Sequence, residues 1–243
     1  MNKKKKIICI IQARLGSKRF PRKIFKKING ERIINLLYKR INKSLTIDKV
    51  IVAIPNKKKD DDLSKYLIKK KIPFFRGSEK NVLNRYFNTA KHFNGDIIIR
   101  VTSDCPLLSA DIIDQHLKLY IKNKNKIVNN YLSKTYPVGI SFSIFDFKSL
   151  EAANKYASRS YDKEHVMPYI YRNMSSRVLK TSFSHNYNFL RLTLDYPEDL
   201  ITIRKVYKHF HPNIYFSWKK VIHLYEKKPI LFKENLNIKF QNK

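Results

Sequence analysis

Residues 7–23 read Ile7-Ile8-Cys9-Ile10-Ile11-Gln12-Ala13-Arg14-Leu15-Gly16-Ser17-Lys18-Arg19-Phe20-Pro21-Arg22-Lys23. An unbroken apolar run closed by a Gly/Ser turn is the pattern of a strand buried on both faces. The turn carries five cations within ten residues: Arg14, Lys18, Arg19, Arg22 and Lys23. A buried strand ending in such a loop is suited to holding a polyanion, and a nucleoside triphosphate is the natural candidate. Gly16 lacks a Cβ and is free to take positive φ, so backbone N–H groups there can approach phosphate oxygens. Ser17 adds a hydroxyl donor. Arg14 offers a planar fork for two phosphate oxygens, whereas Lys23 is a mobile point charge beyond the stiff Pro21. In a partly desolvated site each close charge pair is worth on the order of a few kcal/mol. The plainer reading of the segment is a solvated basic loop.

The 243 residues suffice for one α/β domain with a sizeable core. Lys and Arg outnumber Asp and Glu by 51 to 19, a formal charge of +32, which invites a nucleic-acid reading. The cations are scattered, however, over Lys3 to Lys6, Lys57 to Lys59, Lys69 to Lys71, Lys122 to Lys126 and Lys219-Lys220, and form no single stripe. With only 5 glycines and abundant Lys, Ile, Asn and Tyr, biased residue usage explains the charge as well as a polyanionic partner does. A noncatalytic nucleic-acid-binding domain is therefore the rival from a different class. Cys9 and Cys105 provide neither a disulfide framework nor a zinc ligand set, so a reduced, cytoplasmic protein is expected. Cys105 has no histidine nearby in sequence to make it a nucleophile. The apolar run after the basic start is too short for a signal peptide, and no stretch is long enough to span a membrane.

Apolar strand-like runs alternate with helical periodicity, the signature of a sheet flanked by helices. Strands are expected over 6–11, 50–54, 74–76 and 97–101. Helices are expected over 33–41, 60–70, 81–93 and 109–120, the last capped by Ser109. Shorter β-like segments follow at 127–131, 140–145, 178–183 and 190–194, with helices over 147–157, 162–173 and 198–209. The Lys- and Asn-rich stretch from 227 reads as loosely held.

Two further constellations carry chemistry. Ile97-Ile98-Ile99-Arg100-Val101-Thr102-Ser103-Asp104-Cys105-Pro106 delivers an aspartate to the carboxyl end of a central strand, where open α/β sheets bind ligands. Arg191-Leu192-Thr193-Leu194-Asp195-Tyr196-Pro197 delivers a second. Two carboxylates at strand ends can share one magnesium that keeps waters and accepts phosphate oxygens; Asp195 reads equally well as a turn or cap residue. Walker-type, dinucleotide-binding, nucleophile-elbow and zincin motifs are absent. Glu164-His165 and the pair His209/His211 read as structural.

These segments resemble the cytidylyltransferases of the CMP-KDO and acylneuraminate synthetase superfamily, in its spore-coat polysaccharide (SpsF-like) branch. The resemblance is carried by Ile11-Gln12-Ala13-Arg14 through Lys23, by Arg76-Gly77-Ser78-Glu79-Lys80-Asn81-Val82-Leu83-Asn84-Arg85-Tyr86, and by Arg100 through Leu108. It continues in Tyr136-Pro137 with Gly139, Glu164-His165-Val166-Met167-Pro168-Tyr169 and Leu194-Asp195-Tyr196-Pro197-Glu198-Asp199. It implies a Rossmann-like nucleotide-diphospho-sugar transferase fold, α/β, with a mixed, mostly parallel sheet flanked by helices and a small β-rich insertion. It implies an enzyme in which a sugar hydroxyl attacks the α-phosphate of CTP and pyrophosphate leaves. Arg14, Gly16, Ser17 and Lys23 are then expected at the triphosphate, Ala13, Arg76, Gly77, Ser78, Asn81 and Leu83 around the cytidine, and Asp104 with Asp195 on Mg2+. Arg14, Lys23 and Asp104 would carry catalysis. One such domain is expected over residues 1–226, with 127–185 as an acceptor-binding insertion that could also serve a homodimer contact, and a basic tail over 227–243.

The branch usually places acidic residues after Tyr136-Pro137, but here the positions are Val138, Ser141 and Ser143. Their loss suits a more anionic acceptor, such as a 3-deoxy sugar acid, or alternatively a phosphorylated or phosphonate small molecule.

Overall fold

The computed structural model describes residues 4–123 and 126–238. Lys3 and Lys124 of the basic runs, and 239–243 of the tail, lie outside the described residues. β1 (Ile7–Gln12) is the axis of the molecule. It pairs in parallel with β4 (Lys49–Pro55) on one side and β6 (Ile97–Thr102) on the other. Ile7, Cys9 and Ile11 enter one hydrophobic core while Ile8 and Ile10 enter a second on the opposite face. Burial on both faces is why no polar residue interrupts the run.

Between them the chain forms a two-stranded hairpin, β2 (Lys27–Ile28) and β3 (Glu31–Arg32), then α1 (Ile33–Ile41). Beyond β4 come α2 (Asp61–Lys69), β5 (Phe74–Gly77) and α3 (Val82–His92). After β6 follow α4 (Ala110–Lys122), β7 (Ile127–Asn129), β8 (Ser143–Asp146), α5 (Phe147–Tyr156), α6 (Ser160–His165), α7 (Met167–Asn173) and β9 (Val178–Lys180). The chain then forms α8 (Pro197–Phe210), α9 (Trp218–Lys227) and α10 (Lys233–Leu236). The main sheet runs β5-β4-β1-β6-β8-β7-β9, parallel from β5 to β6, with β8 antiparallel to β6 and to β7. Residues of α1, α2, α4, α8 and α9 cover one face, and residues of α3, α5 and α7 the other. This is the expected mixed, mostly parallel α/β architecture.

Local expectations fail in four places. Residues 190–194 form no strand; a single bridge joins Val138 to Arg191, and Leu194 N–H instead donates to the Asp104 carbonyl at 2.8 Å. The helix expected over 162–173 breaks at Val166, fully buried with φ 69°, and Pro168 opens α7, where it removes a donor. Ser109 occupies the N-cap position without capping: its hydroxyl donates to Asp111 and accepts from Trp218 N–H at 3.2 Å. Residues 228–238 are docked rather than loosely held, with a 3-10 turn at Pro229–Phe232, then α10, and Phe232 and Asn235 fully buried.

Candidate active site

β4 and β6 flank β1 on opposite sides, so the loops leaving β1 and β6 lie side by side at the carboxyl edge of the sheet, the edge whose crevice binds ligands in open α/β sheets. The loop after β1 is held from below. Asp60, fully buried, accepts Leu15 N–H at 2.7 Å, and Ala13 N–H donates to the Ala53 carbonyl at 3.1 Å. Burial raises the Asp60 carboxyl above its usual range despite the opposing Leu15 bond. The helix expected over 60–70 begins at this residue, but nothing in the sequence pattern marks it as an anchor for the loop after β1. The left-handed residue of the loop is Arg22 (φ 55°), not Gly16. A Cβ at Gly16 would lie 3.3 Å from Nζ of the flexible Lys59, whose ammonium pairs with Glu79.

The five loop cations divide. Arg22 pairs with Asp62 at 2.8 Å, and Arg19 pairs with Asp195 at 2.9 Å while lying over the Tyr196 ring. Arg14 and Lys18 remain exposed, with no ion pair among the described residues. Ser17 Oγ accepts Phe20 N–H at 3.3 Å, which shapes the turn and leaves the hydroxyl proton available. Lys23 is turned inward: Nζ donates to the Leu194 carbonyl at 2.6 Å and to Asp195 Oδ1 at 2.9 Å, and lies 3.5 Å from Asp104 Oδ2.

The two expected aspartates are thus brought together by one ammonium. Burial pulls the Lys23 pKa down, but Asp104 and Asp195 outweigh it and hold it above its ordinary value. Burial likewise pushes Asp195 up, and Lys23 and Arg19 hold it below the usual carboxylate range. The loop carrying Asp195 is bolted from behind. Arg191 and Asp199 form a buried two-bond pair at 3.1 and 3.0 Å. Asp199 Oδ2 accepts the N–H groups of Asp195 and Tyr196 at 2.8 and 2.9 Å, and Asn235 of α10 donates to Asp199 Oδ1 at 2.9 Å. Gly139 packs on the same loop; with φ 100°, a Cβ would meet Thr193 N at 2.4 Å. Among the described residues no three His, Cys, Asp or Glu side chains converge as a metal site. The pair Asp104/Asp195 nevertheless fits magnesium, which takes one or two carboxylates and completes its shell with water and phosphate oxygens. Two carboxylates already gathered around one cation are such a donor set.

The residues expected around the cytidine have differing surroundings. Arg76 is spent on Asp61 at 2.7 Å and the Lys57 carbonyl at 3.0 Å, tying β5 to α2. Leu83 is a fully buried core residue and Ala13 is 1% exposed, so neither side chain faces the crevice. Gly77 accepts Asn56 N–H at 2.7 Å and lets Arg85 pass, a Cβ lying 2.9 Å from Arg85 Cγ. Ser78 Oγ accepts Asn81 N–H at 3.0 Å, and Asn81 caps α3 through Asn84 N–H at 2.9 Å. Residues 77–81 therefore form a capped turn whose Glu79 lies within reach of the charge of the exposed Arg14.

On the other side of Asp104, Cys105 is buried and its thiol is pushed up to about 12 by desolvation, so it supplies no thiolate. Of the three altered positions, Ser143 is fully buried and bonded to Asn129 and Tyr171, and Val138 is held in the bridge to Arg191. Ser141 lines an open cleft of about 340 Å³.

The cytidylyltransferase family model matches residues 8–238. An uncharacterised protein of Methanocaldococcus jannaschii is 36% identical over 239 residues, 96% of each chain. The spore coat polysaccharide biosynthesis protein SpsF of Bacillus subtilis is 28% identical over 211 residues, 83% of this chain and 86% of that one. A solved cytidylyltransferase from Leptospira borgpetersenii superposes with a TM-score of 0.90 at 28% identity, covering 98% of this chain and 100% of its own. With the basic loop after β1 and the Asp104/Asp195 pair at the sheet's crevice, these matches make the chain a member of the cytidylyltransferase family.

Proposed function

We propose that the protein transfers the cytidylyl group of CTP to a hydroxyl of an acidic sugar, giving a CMP-activated sugar for polysaccharide or glycan synthesis. The acceptor oxygen bonds to the α-phosphorus as the bond to the β-phosphate oxygen breaks; pyrophosphate departs and the hydroxyl proton is released to water. The observation that carries this reading is the gathering of Asp104 and Asp195 around Lys23, on the loop that also carries Arg14 and Lys18, exposed and with no ion pair among the described residues. Arg14 and Lys18 would grip the β- and γ-phosphates, and Ser17 would donate to them. Lys23 would offset charge on the departing pyrophosphate. Asp104 and Asp195 would hold Mg2+, whose chemistry here is neutralisation of phosphate charge. Positioning and preorganised charge supply most of the rate in such transfers. The turn at 77–81 is assigned to the base, and residues 127–185 to the acceptor and to contact with a second copy. SpsF's name points to polysaccharide biosynthesis, and the cleft beside Asp104 has no lining carboxylate, which favours an anionic acceptor. A phosphorylated or phosphonate acceptor fits the same charge.

The test is pyrophosphate release with each of the four nucleoside triphosphates against carboxylated, phosphorylated and uncharged acceptors. CTP with a carboxylated sugar is expected to be turned over. Asp104→Asn is expected to lower release by ~100-fold or more while melting stays unchanged. A well-folded, fully active Asp104→Asn protein refutes the assignment.

A further inference from the structure

β6 alternates across the sheet, with Ile97, Ile99 and Val101 in one core and Ile98 in the other. Arg100 follows Ile98 on the second face, between Ile10 of β1 and Ser143 of β8 in register. A guanidinium in the middle of a central strand is costly unless something answers it. Among the described residues no carboxylate does. Its Nε is buried with no hydrogen-bond partner, and no ion pair reaches it among the described residues. The polar neighbours are committed elsewhere: Tyr86 donates to the carbonyls of Ile10 and Val101 at 3.2 and 3.0 Å, and the Tyr171 hydroxyl sits on Ser143 at 2.8 Å.

Arg100 instead lines the cleft of about 340 Å³, within the usual range for small-molecule sites. Tyr131, Tyr161 and Met167 give it apolar walls, His165 lies tilted against Tyr161 at 4.4 Å between centroids, and no carboxylate among the described residues lines it. Ser141 connects it to the reaction centre, its Oγ lying 3.8 Å from the sulfur of Cys105, the residue after Asp104. A molecule anchored on Arg100 therefore extends towards Asp104.

We infer that Arg100 is the specificity-determining residue that receives the acceptor's anionic group, a carboxylate or a phosphate, in the cleft bounded by Ser141, Tyr161 and His165. The inference rests on the acceptor side of the proposed transfer. A planar fork with an unused Nε–H is matched by two oxygens of one anion. The Val166 break also acquires a purpose, since it places His165 and Met167 on the cleft from two separate helices.

The test is direct. The Arg100 Nε–H resonance, identified by its loss in Arg100→Lys, is followed during titration with 3-deoxy-manno-octulosonate, methyl phosphate, mannose and sodium chloride. A saturable shift with octulosonate or methyl phosphate is expected, whichever of the two moves it naming the anion, with no shift from mannose or chloride. Calorimetry then compares CTP and the effective anion on wild type, Arg100→Gln and Arg100→Lys. Anion affinity is expected to fall about 10- to 100-fold in Arg100→Gln and to recover in part in Arg100→Lys, with CTP affinity within twofold throughout. A resonance that neither anion moves, or that chloride moves equally, overturns the inference, as does loss of CTP affinity in Arg100→Gln. Anion binding in a wild-type protein that does not bind CTP sinks the cytidylyl-transfer reading and leaves the Arg100 subsite standing.

Discussion

Replacing Asn235 with Ala asks whether the last short helix is part of the site or an appendage. Its side chain is fully buried and makes three hydrogen bonds. Nδ2 donates to the Arg191 carbonyl at 3.0 Å and to Asp199 Oδ1 at 2.9 Å, and Oδ1 accepts the Thr202 hydroxyl at 3.1 Å. Asn235→Ala leaves the Arg191 carbonyl and the Thr202 hydroxyl without those partners in a dry environment. Each orphaned group costs ~1–3 kcal/mol, and the hydroxyl can rotate towards its own helix, so the total is about 2–4 kcal/mol. Asp199 keeps its two bonds from Arg191 and the N–H groups of Asp195 and Tyr196, so the loop keeps its shape. For a chain of this size the loss corresponds to a fall in Tm of roughly 5–15 °C. Calorimetric melting reads the stability, and CTP titration below the transition reads the site, where affinity is expected to change less than about threefold. A Tm within about 1 °C of wild type would refute the claim that Asn235 docks α10 onto the rest of the domain.

Lys23→Met leaves Asp104 and Asp195 without their shared ammonium, and pyrophosphate release is expected to fall by ~100-fold or more in a steady-state assay; release within threefold of wild type contradicts the charge-offset role. Chelation with EDTA is expected to abolish release and added Mg2+ to restore it; turnover that survives chelation removes the metal from Asp104 and Asp195. Glu31 is pushed up by burial, but the Tyr66 hydroxyl at 2.9 Å and the Arg32 N–H hold its pKa at about 2, against an ordinary 4.5. A depressed carboxyl stabilises the fold above its unfolded pKa and loses that contribution as pH falls from about 4.5 towards 2. Glu31→Gln is accordingly expected to be less stable than wild type at pH 6, with the gap closing across that acid window in urea titrations; a constant gap contradicts the linkage.

The parts of the fold that could be read from sequence are those where one chemical pattern has one structural answer. The run through Ile11 had to be a strand buried on both faces, and a cation-rich turn after it had to lie at the sheet edge. Asp104 was legible for the same reason, as a carboxylate ending an apolar strand. Residues 190–194 misled because Leu alternating with Arg191 and Thr193 satisfies a strand pattern, yet their N–H and C=O groups are claimed by the loops at Val138 and Asp104. Leu83 lies inside a recognisable motif but serves the core, since motifs mark positions rather than the direction of a side chain. Arg100 was quoted in a motif and given no role, because an orphaned Nε is visible only once the surrounding strands are in place. The Lys- and Asn-rich composition after 227 concealed Phe232 and Asn235, two buried residues that suffice to dock it.

The bonds from Lys23 to residues 194 and 195 span 171 and 172 positions of the chain, and the Asn235 clamp lies a further 40 along. Contacts of such sequence separation must overcome a large loop-closure entropy before they are rewarded, so they form late. During synthesis, β1, β4 and β6 can assemble while Lys23 and Asp104 still lack their third partner. The cluster of Lys23, Asp104 and Asp195 is thus the last region to take shape, and a polypeptide released early displays the basic loop after β1 before Asp195 has joined Asp104.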